Sequence, residues 1–344
     1  MKFETLHIFL RSRLVVCLGC LFILLAGGNT LYAQDGVNRH ALLIGGLGGS
    51  PEHTERFKGY LFDTRKALVE SMAIPAENVT LLGEASISGE SFIDDTATAE
   101  NIRAQFSALQ SHVGEADMVL VVLFGHGSFS NGEARLNIPR RDLSQHDFAE
   151  LVDGLDASRI VFINTSSASA PFVEALSADN RMVITATRTG SQKNETSFPR
   201  FLVESLTSPA TDRDKDGRIS VAEVFQFAAE RTDQMFADNS NLATENALLD
   251  DNGDQEGSRL GELENGTDGH LASITYLSGD GGAAGAVAGR VGGSAWQQEK
   301  NQVELAIANL KSQKASMDTD AYYAELETLF VQLARGNAAA EQTP

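Results

Sequence analysis

Cysteine is almost missing from this chain of 344 residues, and its two examples, Cys17 and Cys20, both fall within the first 33. That segment reads as an export signal: Lys2, Arg11 and Arg13 precede the apolar run 14–28, and a polar stretch ends in LYA before Gln34. Cleavage there leaves no thiol, hence no disulfide for an oxidising compartment and no thiolate nucleophile. A long apolar run is missing as well. The run 14–28 is shorter than the roughly 20 residues that span a bilayer, which argues against an uncleaved anchor. A lipid-modified cysteine fits less well still, because the apolar core continues past Cys20.

Basic charge is the third shortage. Lysine and arginine total 27 against 47 acidic residues, a net charge of −20. Without the first 33 residues, which hold three basic groups and one acid, the balance is 24 against 46, or −22. Such a field repels phosphate backbones and anionic lipid. Nucleic acid and membrane are therefore excluded as partners of the mature chain, whereas cations are favoured. A dinucleotide fingerprint is lacking too, since GGLGG at 45–49 does not have the G-x-G-x-x-G spacing.

What is present is an alternation of short apolar runs with segments of helical period. HALLIGG (40–46), NVTLLG (78–83), MVLVVLFGHGSF (118–129), RIVFINTSS (159–167) and RMVITATR (181–188) read as strands. Helices are expected at 55–72, at 98–113 with a threonine cap, near 144–154 and from 170. Nearly continuous Val, Ile and Leu runs between helices signal a parallel sheet covered on both faces. The fold class expected is α/β: a three-layer sandwich with a mostly parallel sheet, plus a C-terminal helical hairpin. The boundaries expected are a signal at 1–33, the α/β domain at 34–276, a Gly/Ala-rich linker at 277–295, the hairpin at 296–335 and a disordered tail at 336–344. Trp296, Val303, Ile307 and Leu310 share one helical face, and Tyr322, Leu326, Leu329 and Leu333 another.

In such a sheet, chemistry gathers at the carboxyl ends of the strands. Those ends carry GHGS (125–128) and NTSSAS (164–169). LFGHGS, the strand order and the following VITATR resemble the caspase and legumain superfamily of cysteine peptidases, closest to its legumain-like bacterial branch, over residues 39 to about 235. The resemblance implies a caspase-like fold, places the family's catalytic histidine at His126, and puts Ser166 where the nucleophilic cysteine belongs. Thr165 precedes it, and Ser169 stands in place of a usual glycine.

The exchange of sulfur for oxygen matters chemically. A thiol is partly ionised near neutrality and needs little help from a histidine. A serine needs a base held in one tautomer by a third group, and neither Asp142 nor Asp147, downstream of His126 in the chain, is identified by position as that group. Three readings stand: hydroxyls that satisfy backbone groups at a strand end, a degenerate peptidase that binds a peptide or protein in the family's cleft, and a hydrolase using a Ser166/His126 dyad.

DRDKDGRISVAE (212–223) matches the twelve-residue calcium loop. Asp212, Asp214 and Asp216 occupy positions 1, 3 and 5, Gly217 position 6, Arg218 position 7, Ser220 position 9 and Glu223 position 12. Calcium is the cofactor expected. SPA at 208–210 interrupts the helix that would lead in, so the loop is expected alone and not as half of a paired sensor. A second acidic stretch, LLDDNGDQEGS (248–258), alternates Asp250, Asn252, Asp254 and Glu256, but its glycine falls early and no acid occupies position 12. It reads as a polar turn or an irregular ion site. The expectation that follows is an exported, periplasmic or extracellular protein of the caspase/legumain type, a pseudopeptidase with a binding or structural role, or else a Ser166/His126 hydrolase.

Overall fold

The computed structural model describes residues 37–84, 93–263, 267–278, 295–312, 314 and 317–341. The expected signal at 1–33 lies outside the described residues, as does 279–294, most of the expected linker.

Seven strands form the main sheet: β1 (Arg39–Gly45), β2 (Val79–Gly83), β3 (Asp95–Thr96), β4 (Met118–Phe124), β8 (Arg159–Asn164), β9 (Arg181–Thr185) and β10 (Leu248–Asp250). Their order is β10-β9-β8-β4-β1-β2-β3, and every pairing is parallel except that of β10 with β9. Both faces of the central strands are apolar, as their unbroken Val/Leu runs require. In β4, Leu120 and Val122 join one core, while Val119, Val121 and Leu123 join the other. Successive strand side chains point to opposite faces, so one strand feeds two hydrophobic layers.

Helices cover both. On one face lie α1 (Pro51–Glu70), α5 (Phe198–Ser205) and α6 (Val221–Asp238), contributing Leu61, Leu68, Phe198, Phe201, Val224 and Phe225. On the other lie α2 (Ala99–His112), α3 (Gln145–Asp153) and α4 (Pro171–Leu176), contributing Ile102, Phe106, Phe148, Leu151 and Phe172. The three-layer α/β class expected from the sequence is the one observed. Ser50, Thr98, Ser144 and Ser220 each accept a backbone N–H at the start of a helix, which stops the preceding strand or loop and commits the chain to helix.

Several features depart from the sequence reading. Residues 127–144 make a small antiparallel sheet of β5 (Gly127–Ser130), β6 (Glu133–Leu136) and β7 (Leu143–Ser144). Its strands are too short to show a period. Leu277 and Ser278, placed in the linker, belong to the body: Leu277 is buried and donates its N–H to Ile219 O at 2.9 Å.

A short helix, α7 (His270–Ser273), precedes the C-terminal pair α8 (Ala295–Ser312) and α9 (Thr319–Glu341). Val303, Ile307, Leu310 and Tyr322 are buried, as their shared faces anticipate. The tail expected to be disordered from 336 is helical as far as Glu341. Its alanine run explains this, alanine being the strongest helix former.

Candidate functional site

The parallel strand order reverses direction between β1 and β4, the place where an open α/β sheet leaves a crevice beyond its strand ends. The loop after β1 and the residues after β4 meet there. His126 directly follows this strand end, half-buried. Its ring lies edge-on to His53 at 4.9 Å between centroids and to Phe57 at 5.1 Å, both from the start of α1. Burial lowers the His126 pKa from the usual histidine value, and the neighbouring His53 lowers it further, against opposing contributions from Glu195 and the Gly48 backbone. Burial and His53 thus disfavour the charged ring.

The third-group question has a clear answer. Asp142 accepts the Ile138 N–H at 3.0 Å, and Asp147 closes the capping box of α3 and pairs with Arg103. Neither serves His126. A carboxylate beside these rings is Glu195, which engages His53 Nε2 at 3.1 Å and pairs with Arg56, while Ser50 Oγ lies 3.1 Å from His53 Nδ1. It orients the second histidine, not the first. His53 and Glu195 carried no sequence signal, because only the fold brings positions 53, 126 and 195 together.

Ser166 follows β8 and is 1% exposed. Its Oγ donates towards Asn164 Oδ1 at 2.7 Å and Ser167 O at 3.3 Å, and the His126 ring is not among its partners. Asn164 Oδ1 also accepts the Ser166 N–H at 3.0 Å. This side-chain turn of i to i+2 type mimics a backbone turn. It explains how the chain leaves a buried strand with neither glycine nor proline.

The neighbouring hydroxyls are committed in the same way. Thr165 Oγ1 donates to Leu123 O at 2.7 Å, Ser167 Oγ accepts the Gly127 N–H at 3.0 Å, and Ser169 Oγ accepts the Thr187 N–H at 3.2 Å. Acyl chemistry at Ser166 would need free N–H donors for a developing oxyanion. Of the two amides beside it, Ser166 N is held by Asn164 and Gly127 N by Ser167. Ala168, not Ser169, takes the left-handed conformation here, with φ of 55°. The contact between the two loops is tight enough to demand glycine at 127, where a Cβ would sit 2.0 Å from Ser167 O and 2.8 Å from Ser166 Oγ.

The 212–223 loop brings carboxylate oxygens of Asp212, Asp214 and Asp216 within 4.8 Å of one another. Asp212 Oδ1 is buried with no hydrogen-bond partner, and Gly217, at φ of 82°, makes the turn that position 6 requires. These features fit a hard cation ligated by oxygen. The other expected ligands are occupied. Glu223 Oε2 accepts from Ser220 N and Oγ, its Oε1 accepts the Arg213 N–H at 2.8 Å, and Ser220 caps α6. The Arg218 side chain binds Asp216 at 2.9 Å and covers the Tyr276 ring at 3.6 Å, which leaves only its carbonyl to offer.

No family model matches the sequence, and no curated protein matches it. Among solved structures, the chain is similar to caspase-1 from Spodoptera frugiperda, at 10% identity over 66% of this chain and 94% of that one, with a TM-score of 0.41. It is also similar to protein GSU0716 from Geobacter sulfurreducens, at 12% identity over 62% of this chain and 92% of that one, with a TM-score of 0.35. Both are distant likenesses in the path of the chain.

Proposed function

We propose that this chain is an exported protein of the caspase/legumain type that has given up peptidase chemistry, serves a binding or structural role, and takes up calcium at 212–223. The observation that carries the first part is the Ser166 hydroxyl. It is buried, its hydrogen is directed at Asn164 Oδ1, and the Ser166 and Gly127 amides are already occupied. A serine in that state is a structural element of the β8 turn. Its hydrogen bonds replace the turn residues that the sequence lacks.

The calcium part rests on three carboxylates gathered on one loop and on the unpartnered Asp212 Oδ1. Buried carboxylate oxygens are normally satisfied by donors or by a metal.

A serine-directed phosphonate probe tests the assignment directly. The purified chain is expected to take up no label and to cleave no member of a peptide library. Labelling at Ser166, with cleavage that disappears in Ser166→Ala, would establish the dyad hydrolase instead.

A further inference from the structure

A second carboxylate cluster stands apart from the 212–223 loop. Strand β10 ends at Asp250, and carboxylate oxygens of Asp250, Asp254 and Asp268 lie within 4.8 Å of one another. Asp250 is 1% exposed and Asp268 is also buried. Asp250 Oδ1 accepts the N–H groups of Asn252 and Gly253, both at 3.3 Å, and the Ser177 hydroxyl also acts on this carboxylate, whereas Oδ2 is buried and accepts no hydrogen bond of good geometry.

The other two carboxylates are bonded only to neutral donors. Asp254 accepts from Glu256 N at 2.8 Å and Asn252 Nδ2 at 3.0 Å. Asp268 accepts from Asp251 N at 3.2 Å and Ser258 Oγ at 2.6 Å. Among the described residues, no lysine, arginine or histidine forms an ion pair with any of the three. Asp251, next in sequence, is committed elsewhere: it accepts Gly269 N at 2.9 Å and Ala272 N at 2.7 Å at the start of α7.

Buried acids without a cationic partner must take up either a proton or a counter-charge. We propose that Asp250, Asp254 and Asp268 form a second site for a hard divalent cation of the calcium type, clamping the end of β10 to the segment that enters α7. Calcium holds oxygens at about 2.3 to 2.6 Å, so oxygens on opposite sides of the ion are about 5 Å apart, which suits the spacing of this cluster. Carbonyls and water complete a shell of about six to eight oxygens. The fourteen-residue step from Asp254 to Asp268 is why no loop motif marks the site. The ion would pin β10, the one antiparallel strand and an edge of the main sheet.

Calcium equivalents per chain, measured by equilibrium dialysis on chelator-stripped protein, decide this independently of the 212–223 loop. Wild type is expected to bind two, and Asp254→Asn and Asp214→Asn one each. Asp254 is exposed, so its amide variant should fold, which circular dichroism checks; Asp268→Asn gives a second reading and should also lose one equivalent. A single wild-type equivalent that Asp254→Asn abolishes and Asp214→Asn retains supports this site while removing the other. The proposal is overturned if Asp254→Asn and Asp268→Asn bind as much calcium as wild type, or if Asp214→Asn alone abolishes all binding.

Discussion

Ser166 Oγ and Asn164 Oδ1 lie 2.7 Å apart, two residues from each other in the chain. A hydroxyl bonded to a neighbour on its own turn, with its amide held by the same oxygen, has no spare hydrogen to hand to a base. His126 is close in the fold, since Gly127 packs on Ser166, yet the bond that would make a dyad is not formed. The fold therefore brings the two strand ends together while turning the Ser166 hydroxyl into its own chain.

The first consequence concerns reactivity. Ser166→Cys should be alkylated no faster than a buried thiol, because the position is 1% exposed and the lowered His126 pKa disfavours the imidazolium that would stabilise a thiolate. Adding His126→Ala should change the rate little. Rapid labelling that depends on His126 would show that the two side chains engage in solution. Ser166→Ala should cost about 1 kcal/mol of stability, the usual value for one hydrogen bond, read by urea denaturation.

Gly127→Ala tests the contact between the two strand ends. A Cβ there would lie 2.0 Å from the Ser167 carbonyl oxygen, which is backbone and cannot swing aside. Overpacking typically costs about 1 to 3 kcal/mol, and the expected loss lies at or above the upper end. An urea midpoint equal to that of wild type would mean that the loops are less closely apposed.

A pH dependence follows from His126. Its folded pKa lies below the usual value, chiefly through burial and then through His53. The unfolded chain therefore binds more protons in the window between the two pKa values. The contribution to stability is fully present above the unfolded value of about 6.5 and is lost as pH falls through the folded pKa. His53→Ala removes a like charge and should raise the His126 pKa, measurable by NMR titration of the ring. An unchanged or lower value would contradict the ring contact.

Calcium should raise the melting temperature. A ligand that binds only the folded state contributes about 2.7 kcal/mol at a hundredfold excess over its Kd, a shift of several degrees for a domain of this size. Asp214→Asn and Glu223→Gln keep acceptors for the loop and the α6 cap while removing charge, so both should show a smaller shift. Shifts equal to that of wild type in both variants would make 212–223 a plain turn.

The layered core was legible before any coordinates, because a strand buried on both faces must be apolar throughout and an amphipathic helix must repeat near 3.6 residues. The runs 118–129 and 159–167 could hardly be anything but central strands, and their apolar parts became β4 and β8, which end at Phe124 and Asn164. The aspartates of 212–216 were equally plain, since alternate residues of one tight turn converge through local geometry alone. β10 was hidden inside an acid-rich stretch that reads as a turn, and its three residues are too few to display a period.

Local pattern thus determined the central strands, the longer helices between them and the 212–223 carboxylate cluster, because each depends on residues adjacent in sequence or one helical turn apart. Tertiary structure alone decided which acid meets which histidine, as Glu195 reaches His53 across 142 positions, and that Asp268 joins Asp250 and Asp254. It also decided the surroundings of Ser166, since the Gly127 amide beside it is taken by Ser167 across 40 positions. Contacts between distant segments are set by how whole layers pack, and no periodicity along the chain encodes them.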